Sequence, residues 1–126
     1  MAKTDRSALA LAAIEGYRIL VSATSGTKVP TEVSLLDYSG FRYDADLKAN
    51  PARWSDMQEA SAFATKQWNM ISARVTDQIL KQRVTETLRK MQTAISTKSV
   101  AGAREAVKGE LDLVDTLEAW FNHPQA

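Results

Sequence analysis

His123 is the only histidine in the sequence, and there is no cysteine. A carboxylate-bridged di-iron bundle needs Glu-x-x-His pairs on facing helices, and here Trp120 stands three residues before the lone histidine. Thiolate zinc sites, iron–sulfur clusters, covalent haem attachment and a cysteine nucleophile all need cysteine. A haem held by a methionine and a histidine has its atoms in Met57, Met70 or Met91 with His123, but no spacing ties them together. Methionines at these positions read as fillers of core gaps, and His123 as a cap on a helix end. No cofactor is therefore expected. Asp44-x-Asp46, with Asp37 nearby, offers oxygen ligands for a hard cation, yet lacks the further ligands and the glycine of a calcium loop. Asx turns account for these aspartates, and no metal site is assigned.

No glycine-rich phosphate loop, Gly-x-Ser-x-Gly elbow or His-Glu-x-x-His occurs. Arg53, Arg74, Arg83 and Arg89 could serve a helical enzyme, but none falls on an apolar seam. They read as solvated charges whose stems cover the core edge. The expectation is a protein that is not an enzyme.

The elements that would carry such residues are helical. The stretch from Asn50 to Val75 places Trp54, Met57, Ser61, Ala64, Trp68, Ile71 and Val75 at alternating steps of three and four, a continuous seam on one helix face. Asn50 is suited to capping and Pro51 to the first helical position, so a helix is predicted over 51–75. The pattern continues through Ile79, Leu80, Val84, Leu88, Met91 and Ile95. Val75-Thr76-Asp77 is a run of poor helix formers, which favours a break and a new helix over 77–97. Ser99 can cap another over 99–122, striped by Val100, Ala103, Val107, Leu111, Val114, Leu117 and Phe121 and stopped before Pro124.

Towards the N-terminus, Leu9, Ala12, Ala13, Gly16, Ile19, Leu20 and Ala23 make one face of a helix over about 5–23. Its start resembles a signal peptide, but Glu15 and Arg18 interrupt the apolar run, so it reads as an amphipathic helix of the mature chain. Residues 24–50 then form a long strap with Pro30, Gly26 and Gly40, expected to cross the bundle in an extended path with a helical turn at Glu32 to Leu36. The fold expected is all-α: a single domain, a four-helix bundle with a long ordered crossover connection between its first two helices.

The 126 residues suffice for one core, and 44% hydrophobic with 25% charged is ordinary for a soluble chain. A net charge of +1 does not favour nucleic acid as a partner. No stretch approaches the about 20 apolar residues of a membrane span. Cytoplasm and periplasm both accept a chain without cysteine. Basic residues from Arg74 to Lys90 face Glu110, Asp112, Asp115 and Glu118 in the next helix, and pairing between the two is expected across an antiparallel hairpin.

By elimination, the expected function is that of a non-catalytic helical module binding a protein partner or a copy of itself. Tyr38, Phe41, Arg42 and Tyr43 on the strap are the candidate contacts, since aromatics and arginine suit interfaces. The alternative is a bundle that binds a small ligand or cofactor, a sensor or carrier of periplasmic type, with a pocket at Trp54, Met57 and Trp68.

Overall fold

The computed structural model describes residues 29–122, and the helix expected over about 5–23, together with His123, lies outside them. The described residues form four α-helices and no strand: α1 (Thr31–Lys48), α2 (Trp54–Ile71), α3 (Gln78–Thr97) and α4 (Val100–Asn122). A short 3₁₀ turn, Ser72–Arg74, follows α2. Short connections make consecutive helices antiparallel neighbours, and α4 returns to pack on α1, which closes the ring.

The first correction concerns the strap. Most of it is not an extended crossover but the 18-residue helix α1. Pro30 precedes the first turn and its carbonyl accepts from the Val33 N–H (3.0 Å). Glu32 in the first turn and Lys48 in the last complement the helix dipole. Val33, Leu36, Gly40, Tyr43 and Leu47 are all buried, at helical spacing. Tyr38 and Tyr43 are thus core residues of a helix, while Phe41 lies on its exposed side.

The seam of α2 is as expected: Met57, Ser61, Ala64, Trp68, Ile71 and Val75 are buried and Trp54 packs partly against the core. Its start is not. Asn50 caps nothing, the Asn50–Pro51 peptide is cis, and α2 begins only at Trp54. The turn between α1 and α2 is held by the Asp46 carbonyl, which accepts from the N–H groups of Ala49 (3.3 Å) and Arg53 (3.0 Å).

The break between α2 and α3 falls where β-branched residues precede Asp77. Asp77 Oδ1 accepts from the N–H groups of Ile79 and Leu80, each at 3.1 Å. At the far end of α3, Lys98 adopts a left-handed conformation (φ 50°). Its N–H reaches the Ile95 carbonyl (3.1 Å), and the Ser99 N–H reaches that of Ala94 (2.9 Å). Ser99 then caps α4, its hydroxyl accepting from the Gly102 N–H (3.0 Å).

Two bonds tie the helices across the core. The buried Tyr43 hydroxyl donates to the Met91 carbonyl (2.8 Å), and Trp68 Nε1 donates to Thr85 Oγ1 (3.1 Å). Gly40 lets α1 lie close against α4: a Cβ there would collide with the Glu110 carboxyl and come within 2.7 Å of Leu111 Cδ2.

The two residues read as caps give a direct comparison. Replacing Asp77 by alanine is expected to cost about 1 kcal/mol in urea denaturation, while Asn50→Ala costs well under half of that. Equal costs would show that the Asp77 bonds add nothing to the folded state.

Candidate interaction surface and buried carboxyl groups

The four residues expected as contacts separate in the structure. Tyr38 (2% exposed) and Tyr43 (0%) are inside the bundle and present no ring face to a partner. Tyr38 meets Phe63 edge-on, with centroids 5.6 Å apart. Phe41 is 44% exposed, so it is the aromatic of the group that reaches the surface. Arg42 is spent on α2. Its Nε donates to Asp56 Oδ2 (2.9 Å), a second guanidinium nitrogen to Asp56 Oδ1, and the group extends to Glu59 (3.4 Å) and the Tyr38 hydroxyl (3.4 Å). This forked pairing fixes α1 against α2.

Asp46 lies behind that pair, fully buried, with no hydrogen-bond donor to either carboxyl oxygen. Burial raises its pKa, and the neighbouring Asp56 carboxylate raises it further, against the weaker pull of Arg42 and Arg53. Asp56 is shifted the other way, chiefly by its bonds from Arg42. Two ionised carboxylates cannot hydrogen-bond, so the arrangement closes when Asp46 holds the proton and donates it towards Asp56.

Glu110 is a second such group. It sits at the α1–α4 contact beside Gly40 with no partner for either oxygen. Burial moves its pKa well up, and Asp37 adds to the shift. The adjoining hollow, between Leu36, Val84, Leu88 and Leu117, holds about 10 Å³, the space of one water.

The residues of the expected ligand pocket are packed. Met57 is 0% exposed and Trp68 4%, and Trp54 packs against the core cluster. Trp68 borders a shallow groove with Thr65, Asn69 and Thr85. The arginines weighed for catalysis do not converge. Arg74 and Arg83 are exposed, the former lying over the Phe121 ring at 5.5 Å, and Arg89 is bound to Glu86.

The expected pairing of α3 with α4 is also corrected. Among the described residues, the ion pairs are Arg42 with Asp56 and Glu59, Lys48 with Asp44, and Arg89 with Glu86. None joins α3 to α4. Glu110 is turned into the bundle, and Arg83, Lys90, Glu105 and Asp112 stand along the two edges of an open groove.

That groove was not foreseen from the sequence. It follows the outer α3–α4 seam as two adjoining hollows of about 380 and 550 Å³, which share Thr87, Lys90 and Gly109. Its floor is Thr87, Ala94, Gly102, Ala106, Gly109 and Leu113. Small side chains here leave a channel where larger ones would close the surface. The signal in the sequence was the 3–4 spacing of Gly102, Ala106 and Gly109, which runs beside the core stripe of α4.

The buried carboxyls set the pH response. A group whose pKa is raised by folding stabilises the fold below its unfolded value and loses that contribution as pH rises through the folded value. For Asp46 the window runs from the ordinary carboxylate range up to about 8, and Glu110 acts in the same direction. Asp56 acts oppositely, its contribution being lost only as pH falls towards about 2. The melting temperature is therefore expected to fall steadily between pH 5 and pH 8. In an Asp46→Asn, Glu110→Gln variant that decline flattens, because the amides keep the shape and do not ionise. An unchanged slope in the variant would place the titrating groups elsewhere.

Comparison with family models, curated proteins and solved structures returned no match for this chain.

Proposed function

We propose that this protein is a helical interaction module that works by binding another protein. The observation that carries this reading is the α3–α4 groove: an open channel with a floor of small residues and charged edges, on a scaffold whose helix ends and core bonds are fixed. Rigid helices that present such a channel suit the docking of a partner's secondary structure. Arg83, Lys90, Glu105 and Asp112 along its edges make no ion pair within the described chain, so a partner can neutralise them without first breaking a contact. Phe41, exposed on α1, is a second point of contact within the same reading.

Self-association is the weaker form of the proposal. Each described helix carries one large exposed apolar residue: Phe41 on α1, Met70 on α2, Ile79 on α3 and Val100 on α4. A helix that fills a groove needs several at successive turns of one face.

The test is photo-crosslinking in the cells that make the protein. A photoreactive amino acid is placed at Thr93 or Thr116 on the groove, at Phe41, and at Gln58 or Lys66 on the outer side of α2. Discrete adducts of higher mass are expected from the groove positions and not from α2. Adducts from Phe41 alone would move the contact to α1, and a chain that crosslinks from no position would defeat the reading.

A further inference from the structure

The groove has a direction written into its edges. On the α3 side stand Arg83 and Lys90, each without an ion pair, while Arg89 is taken up by Glu86. On the α4 side stand Glu105 and Asp112, also unpaired among the described residues. On the α3 edge Glu86 is balanced by Arg89, which leaves Arg83 and Lys90 as its unpaired charges, against Glu105 and Asp112 on the α4 edge. From Ile79 to Thr97 the α3 edge spans 19 residues, so the channel takes about five turns of helix. An extended strand would leave its backbone groups unpaired against such a floor, whereas a helix satisfies its own.

We infer that the α3–α4 groove receives a single amphipathic helix of a partner protein, apolar along the side that meets the floor, acidic on the flank beside α3 and basic on the flank beside α4. This rests on the interaction reading above and specifies the partner. The charge split does more than add attraction. A helix turned end for end in the groove presents each flank to the opposite edge. The correct charge order is then met in one direction only, and the edges select the polarity of docking. Exposed ion pairs contribute little each to affinity, but four of them reversed together discriminate between orientations. A second copy of this chain is a poor occupant, because none of its described helices presents the apolar ridge the floor requires.

The experiment uses two synthetic helical peptides of about 18 residues with the same leucine and alanine face. One carries glutamate on one flank and lysine on the other, and the second has the flanks exchanged. Each bears a nitroxide at its N-terminus, and line broadening is read in the backbone amide spectrum of the intact protein. Both peptides are expected to bind, with the label near Ile79 and Thr116 for one and near Thr97 and Gly102 for the other. Exchanging the edges themselves, as Arg83→Glu, Lys90→Glu, Glu105→Lys and Asp112→Lys together, reverses both polarities, and circular dichroism confirms that these exposed positions leave the fold intact. A peptide with two acidic flanks binds about fivefold more weakly or worse. Binding with the same polarity for both peptides, or with none, overturns the charge-directed inference. Failure of both peptides to bind also overturns it. In that case adducts from Thr93 and Thr116 in the crosslinking test still distinguish a groove that binds something else from a chain that binds nothing there. Broadening confined to the Phe41 surface would overturn the assignment of the groove.

Discussion

The bundle depends on α1 being drawn fully into it. The Tyr43 ring is buried at the centre, and its hydroxyl reaches the Met91 carbonyl of α3, the helix diagonal to α1. That single bond requires α1 to approach α2 and α4 closely enough for one side chain to cross the core. Gly40 makes the approach possible on the α4 side, because any Cβ would meet Glu110 and Leu111. The fork from Arg42 to Asp56 fixes the approach on the α2 side. Without α1 in this position the inner faces of Met57, Met91 and Val114 would lose their cover, and burying such side chains is worth roughly 1.5–3 kcal/mol apiece.

Close approach has an electrostatic consequence. Asp46 and Glu110 are taken out of water with no donors to their carboxyl groups. An ionised carboxylate in that setting is strongly disfavoured, so both sites favour the protonated form. In Asp46 the proton also settles the geometry with Asp56, whose own charge is balanced by Arg42. The buried acids are thus a by-product of pulling α1 inward, held in a form the apolar surroundings accept.

What the sequence disclosed follows the strength of the local signals. The α2 seam is legible because Trp54, Met57, Trp68 and Ile71 recur at helical steps with Ser61 and Ala64 between them, and all of these but Trp54 are buried. The ends at Asp77 and Ser99 are legible because a cap needs only a side-chain oxygen and nearby N–H groups. Helix α1 was concealed by its own composition. Gly40, Ser39, Asp37, Asp44 and Asp46 are poor helix formers, and the aromatics suit strands as readily. Tertiary burial of Val33, Leu36, Tyr43 and Leu47 decides the matter, and local propensity does not record it. Asn50 and Pro51 misled for a related reason. Their types match a helix start, but the Asp46 carbonyl captures the Arg53 N–H and sets the entry to α2 three residues later.

The groove shows the remaining gap between sequence and site. Gly102, Ala106 and Gly109 can be seen as small residues at helical spacing, and such a row serves equally to seat a neighbouring helix of the same chain. Only the arrangement of the bundle shows that α4 turns Ala103, Val107, Val114 and Leu117 inward while those three floor an open channel beside α3. The charges behave in the same way. Basic residues on one helix and acidic residues on the next suggested a hairpin zipped by ion pairs. Among the described residues, Arg83 and Lys90 make no ion pair with Glu105 or Asp112, so these opposite charges stand as two separate edges of the groove. In the proposed reading, these four charges, unpaired among the described residues, and the floor of small side chains would be met by a helix that brings a ridge and counter-charges.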